Sequence, residues 1–260
     1  MQTRFAATTL LLTLCLALGA CSWGEKNDPT RDWSAQRLYA AAKSELGDGD
    51  YEAAIDYYQK LESRYPFGPY SQQAQLDIAY AYYKYDEPEA AVAAADRFIK
   101  LHPRHPNVDY AYYIKGLANY LKTGGIVERF VPTDHSQRDP GAAMQAFHDF
   151  AELTRRFPSS RYAEDAAQRM LYLKNMLAMH EIHVANYYMK RGAYVAAANR
   201  AQYVVENYQR TPAVPDALMI MVKAYRNLEL DELSSDALRV LELNYPDHPG
   251  IAELAGLASR

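Results

Sequence analysis

The sequence predicts an all-α fold, a right-handed superhelical solenoid of five helix pairs. Two observations carry this. One is a recurring phrase, an aromatic ring followed by proline, at Tyr65-Pro66, His102-Pro103, Phe157-Pro158 and Tyr245-Pro246, with Tyr208-Gln209 standing in a fifth such place. The other is what precedes the phrase at fixed distance. Counting back 12 residues from its second member gives Ala54, Ala91, Ala146, Ala197 and Ser234, and counting back 8 gives Tyr58, Ala95, Phe150, Ala201 and Leu238. Counting back 24 gives Ala42, Ala79, Ala185 and Val222. Small residues let two antiparallel helices approach, a larger one fills the space between them, and proline ends the second helix.

Taken in order, unit one has helices at 33–47 and 51–64, separated by Gly47-Asp48-Gly49-Asp50. Unit two has 70–84 and 88–101, unit three 107–122 and 140–157, unit four 161–191 and 193–207, and unit five 213–228 and 231–244. Glycine in the turns and proline near helix starts support these bounds. Each pair is amphipathic and buries its apolar face by stacking on its neighbours. The pattern resembles the tetratricopeptide repeat, a helix–turn–helix unit of about 34 residues. Two units depart from it. Unit three separates Gly116 from Ala146 by 30 residues where unit two separates Ala79 from Ala91 by 12, so 18 residues are inserted between its helices. A long loop in a compact repeat is either functional or disordered. Unit four begins with a helix longer than standard, a spine between the two halves. The whole chain divides into 1–20, 21–32, units one and two at 33–106, units three to five at 107–249 with the inserted loop 123–140, and a tail at 250–260 that is a short helix or frayed.

The first segment reads as an export signal, with Arg4 followed by an apolar run from Phe5 to Leu18. It ends Leu18-Gly19-Ala20-Cys21, which resembles the lipobox of bacterial lipoproteins. That resemblance implies removal of residues 1–20, with an S-diacylglycerol and an N-acyl group on Cys21. An ordinary signal peptide or a membrane-spanning anchor is the alternative, although the run is short for a span. The segment 21–32 would then be a polar tether. No aspartate follows Cys21, which favours the outer over the inner membrane. The remaining cysteine, Cys15, lies within the signal, so the mature chain holds no disulfide.

The first helices of such a solenoid line its concave face. Helical spacing places Tyr39 and Lys43 from unit one, Tyr80 and Tyr83 from unit two, and Tyr110, Tyr113 and Tyr120 from unit three along one groove. The chain has 23 tyrosines against 7 phenylalanines. Tyrosine offers contact area and a hydroxyl, which suits a peptide groove, and equally suits helix packing with the hydroxyl in water. In the second half the same positions hold Met179 and Met189, then Met219, Lys223 and Arg226, a Met-rich lining able to adapt to a partner. Two separate surfaces follow, one for an extended peptide and one for docking.

Composition and motifs exclude most chemistry. A net charge of −4 with no long basic run argues against nucleic acid. His180-Glu181-Ile182-His183 lacks the spacing of a zinc helix and has no third ligand, so no metal is expected. Asp134-His135-Ser136 lists the residue types of a catalytic triad, but neighbours in a loop rarely adopt its geometry. Asp86, Glu87 and Glu89 sit where caps are expected. The repeats occupy the chain, leaving no room for a catalytic domain. The protein is read as no enzyme, with no cofactor.

Several stretches resemble the BamD (ComL) family of outer-membrane assembly lipoproteins: Tyr51 to Ala54, Arg64 to Leu76, Phe98 to Pro106 and Asp109 to Tyr113, then Asp139-Pro140, Ala146 to Phe150, Ala185 to Tyr188 and Arg191 to Tyr194. The resemblance implies a lipid-anchored scaffold on the periplasmic face of the outer membrane. It implies binding to the POTRA domains of BamA and to other Bam lipoproteins, and receipt of unfolded β-barrel precursors. Precursor would bind in units one and two and BamA in the later ones, with Arg200 either a docking residue or a solvated arginine. A tetratricopeptide adaptor for cell-wall enzymes is the alternative.

Overall fold

The computed structural model describes residues 28–124, 135–137 and 139–258. The described residues form helices joined by turns, without strands. The first pair is α1 (Ala35–Asp48) and α2 (Tyr51–Arg64), the second α3 (Pro69–Lys84) and α4 (Pro88–Leu101), the third α5 (Val108–Leu121) and α6 (Gly141–Arg156). The fourth is α7 (Ala163–Lys190) and α8 (Tyr194–Asn207), the fifth α9 (Ala213–Asn227) and α10 (Asp231–Asn244), and α11 (Gly250–Ala258) closes the chain. From α1 to α10 each helix packs on the one before and after it, α11 packs back on α9, and α1, α3 and α5 also meet in succession, as α7 and α9 do. First helices therefore share an inner layer, as a solenoid of stacked pairs requires.

The ends of the helices have local causes. Ser34 accepts a hydrogen bond from the Arg37 amide and Asp50 from that of Ala53, so side chains cap α1 and α2. Proline opens α3 and α4, where a missing N–H costs nothing. The turn inside a pair needs one left-handed residue. Gly49 and Gly192 supply it in units one and four, Asp86 and Glu229 in units two and five.

The repeat's small residues do what the spacing implies. Ala42, Ala54, Ala79, Ala91, Ala146, Ala185 and Ala197 are fully buried. Ser234 occupies the matching place in unit five and returns its hydroxyl to the Val222 carbonyl at 3.2 Å. The closest approach is in unit three, where a Cβ on Gly116 would lie 2.5 Å from Cε1 of the buried Phe150. Buried side chains gather in three clusters. One, around Leu38, Tyr58 and Ile78, serves the first pair, and a central one runs from Leu76 to Leu177. The third runs from Ala178 to Leu254. The 28-residue α7 places Leu173 and Leu177 in the central cluster and Ala178, Ile182 and Ala185 in the last. At 1.5 Å per residue it spans about 42 Å, so one rigid rod belongs to both halves.

Signal 1–20 and Cys21 lie outside the described residues, as does most of the insert. The stretch expected to be a tether needs correction at its end. Arg64 hydrogen-bonds to the Asp28 carboxylate and the Thr30 carbonyl, and its Nη2 reaches Thr30 Oγ1 at 3.0 Å. Tyr65 donates to the Trp33 carbonyl at 2.9 Å, and Trp33 stacks on Tyr57. Asp28 to Asp32 thus belong to the packed body. At the insert's far side, His180 Nδ1 lies 2.8 Å from the Ser136 carbonyl oxygen, which ties the short 3-10 turn His135–Gln137 to α7.

Gly116→Ala forces the Phe150 ring to move and costs about 1–3 kcal/mol by overpacking. Adding Phe150→Leu recovers most of that loss in urea denaturation. Additive losses would show that the contact is slack.

Candidate partner-binding surfaces

Carboxylates organise the side chains between neighbouring helices, Asp77 and Asp149 buried and Asp165 partly exposed. Asp77, on α3, is 6% exposed. Tyr39 from α1 and Tyr58 from α2 both donate to its Oδ2 at 3.0 Å, and Gln73 donates to its Oδ1 at 2.9 Å. Lys43 Nζ stands 3.8 Å from Oδ2. An unpaired buried carboxylate is very costly, so these partners are what makes it tolerable. Burial, reinforced by the Asp77 charge, pushes the Tyr39 and Tyr58 phenols well above their ordinary range. Both hydroxyls are fixed as donors.

Asp165, in the first turn of α7, is a second centre. Tyr113 donates to its Oδ2 at 2.6 Å, and Arg169 Nε reaches the same oxygen at 2.6 Å. Burial alone would raise the Asp165 pKa, but hydrogen bonds from Arg169 and Tyr113, with the Arg169 charge, bring it below the usual 3.8. Burial and the Asp165 hydrogen bond push Tyr113 up to about 12. A third carboxylate, Asp149 on α6, is purely internal. Asn119 and Gln145 donate to it at 2.6 and 3.0 Å, and Lys115 bridges it to Asp96.

Between Asp77 and Asp165 the rings form a continuous row. Tyr83 contacts Tyr80, Tyr80 contacts Tyr110 (centroids 6.4 Å apart), and Tyr110 meets Tyr162 at 5.1 Å. Tyr162 stacks on Tyr113 at 4.7 Å. Tyr120 stands edge-on to Tyr172 and beneath the Arg169 guanidinium. Tyr39 touches Tyr70, which also lies beyond the residues read from the sequence. All six expected tyrosines are half-buried, and Lys43 is exposed. Tyr110 is packed between Tyr80 and Tyr162, and its partial burial there raises its pKa. Tyr80 and Tyr83, like Tyr110 and Tyr120, have no side-chain hydrogen bond among the described residues, and each packs one side on the central cluster.

Sequence spacing misses Tyr162, Asp165, Arg169 and Tyr172 for one reason. They sit at or within the added N-terminal turns of α7, which repeat counting skips, yet those turns lie opposite α5. The (i, i+4) pairs Gln73/Asp77 and Asp165/Arg169 were the available signal.

The expected docking residues separate into two places. Met179 and Met189 are half-buried against the C-terminal cluster. Met219, Lys223 and Arg226 face α11. A Cβ on Gly250 would overlap the Met219 sulfur, Lys223 pairs with Glu253 at 2.7 Å, and Arg226 donates to the Leu254 carbonyl at 3.1 Å. The chain's own last helix covers these three. Arg200 instead lies on the outer side, on α8, paired with Glu181 at 3.0 Å. It borders a cleft with Pro140, Met144, Tyr188 and Tyr203, of which Met144 and Tyr203 are a little under half exposed. Among the described residues no three His, Cys, Asp or Glu side chains could share a metal ion, and no helix is long and apolar enough to cross a membrane.

The described residues form a solenoid of stacked helix pairs whose first helices carry a row of tyrosines braced by carboxylates. The chain belongs to the YfiO family, described as outer membrane lipoprotein, whose profile matches residues 31–241. It is similar to the outer membrane protein assembly factor BamD of Neisseria meningitidis serogroup B, 48% identical over 244 residues, covering 92% of this chain and 91% of that one. BamD of Xylella fastidiosa is 38% identical over 240 residues (92% and 82% covered). BamD of Vibrio cholerae is 38% identical over 241 residues (93% and 99% covered).

The folded-state pKa of Asp165 is lowered, so its stabilisation is complete above the unfolded value and fades as pH falls below about 4. Asp165 is partly exposed, and Asp165→Asn costs on the order of 1 kcal/mol at pH 7. The gap to wild type narrows in thermal melts at pH 3; a constant gap would remove the charge-assisted account. Asp77→Ala strands the buried Tyr58 hydroxyl and costs more, about 1–3 kcal/mol for that group alone.

Proposed function

We propose that this protein is an outer membrane protein assembly factor of the BamD kind, held at the periplasmic face of the outer membrane by lipid on Cys21. It carries no catalytic activity of its own. Its groove receives an extended segment of an unfolded β-barrel precursor. Its second half docks on the POTRA domains of BamA, with other Bam lipoproteins in the same assembly. The carrying observation is similarity to named assembly factors along nearly the whole chain, joined to a tyrosine row already braced from behind.

The bracing has a functional consequence. Tyr39 and Tyr113 spend their hydroxyls on Asp77 and Asp165, so they shape the groove more than they contact its occupant. Tyr80 and Tyr83 are the contact residues, offering rigid ring faces at low entropic cost. At the back, Arg200 is the docking residue of the expected set with an accessible guanidinium. A partner carboxylate would take the place of Glu181. Met179, Met189, Met219, Lys223 and Arg226 support that half from within or through α11.

Tyr80→Ala with Tyr83→Ala costs stability, since both rings pack on the central cluster, and in protein still folded at the assay temperature it weakens binding of barrel-precursor peptides by about 1–2 kcal/mol, on the order of tenfold. Unchanged affinity in calorimetric titration would remove the groove. Arg200→Glu abolishes co-purification with BamA; retention at wild-type yield would remove the docking assignment.

A further inference from the structure

Phe67 is 91% exposed, more than any other large apolar side chain among the described residues. Its exposure is built in. Pro66 and Pro69 bracket it, Gly68 takes a positive φ of 103°, and the turn is closed by Ser71 Oγ to the Pro66 carbonyl at 3.1 Å and by the Gln72 amide to the Gly68 carbonyl at 3.1 Å. A stiff turn therefore holds a bare phenyl ring in water, with the part-exposed Tyr65 and Tyr70 at its sides. Nothing in the fold needs that ring.

The same corner receives the chain from its N-terminal side. Arg64 binds Asp28 and Thr30, and Tyr65 binds the Trp33 carbonyl. From Arg64 to Phe67 the backbone spans at most about 11 Å, and from Cys21 to Asp28 at most about 25 Å. If Cys21 carries lipid, as proposed above, this corner cannot leave the neighbourhood of the membrane surface. A single phenyl ring binds a bilayer weakly alone, but a tethered ring meets it at high effective concentration. Aromatic rings with polar partners are the side chains that settle at the headgroup level.

We infer that Phe67, flanked by Tyr65 and Tyr70, is a second contact with the lipid surface. It inserts at the headgroup boundary and fixes the angle at which the solenoid stands on its anchor. The lipid alone would set only a radius. Two contacts set a direction, which decides where the groove faces.

The test uses the full lipidated chain on vesicles of phosphatidylethanolamine and phosphatidylglycerol. Phe67→Cys and Leu243→Cys, the latter 76% exposed in unit five, are each labelled with an environment-sensitive fluorophore; with Cys21 acylated, the introduced thiol alone reacts. The label at 67 should shift to shorter wavelength on vesicles and be quenched by nitroxide lipids, while the label at 243 stays as in detergent. Protein that floats with vesicles but shows equal, solvent-like emission at both positions overturns this inference and leaves the anchor standing. Protein that fails to float takes both readings down. Shielding of position 67 in detergent on addition of the other assembly proteins, and not on lipid, assigns the ring to a protein partner and likewise overturns it.

Discussion

How closely the two helices of a pair approach governs everything else in this molecule. Alanine or glycine at the crossing points permits that approach, and at Gly116 it is so tight that one methyl group would strike the Phe150 ring. Close helices bring side chains from three of them onto a single buried carboxylate. Asp77 on α3 is reached by Tyr39 on α1 and Tyr58 on α2 at equal distances of 3.0 Å. A slightly wider spacing would leave the charge unpaired in a dry environment, which folding could not sustain. Packing distance and polar satisfaction are thus one constraint seen from two sides.

That constraint is also what turns a structural row of tyrosines into a surface. Tyr39 and Tyr113, held by Asp77 and Asp165, fix the shape of the row, and in the proposed reading the packed rings of Tyr80 and Tyr83 between them lose little freedom when a segment lies across them. The α7 rod extends the effect. Its added turns deliver Tyr162, Asp165 and Arg169 to the groove, and its later turns, near Ile182 and Ala185, form the core of the other half. One unbroken helix thus contributes to the cores of both halves.

The helices were legible in the sequence because each is written several times, and repetition removes the ambiguity of a single apolar pattern. The ends fall within two residues of those expected, since caps, prolines and left-handed turn residues are local. The groove was legible as a row but not as a mechanism. Tyr39, Tyr80, Tyr83, Tyr110, Tyr113 and Tyr120 follow from helical spacing, whereas Asp77 and Asp165 are ordinary acidic residues until a neighbouring helix gives them partners. The covering of Met219, Lys223 and Arg226 by α11 was illegible because Gly250 to Leu254 lies outside the repeat. So was the clamp of Arg64 on Asp28, a pairing across 36 residues that no local pattern announces.

The central claim is that the tyrosine row, and not the outer face, is where an unfolded barrel precursor lies. Photo-crosslinking in cells tests it most directly, with a benzophenone amino acid placed at Tyr83 in one strain and at exposed Arg239 on α10 in another. The account predicts precursor adducts from position 83, lost when Tyr80 is replaced by alanine, and none from position 239. Adducts of equal yield from both, or from 239 alone, would contradict it.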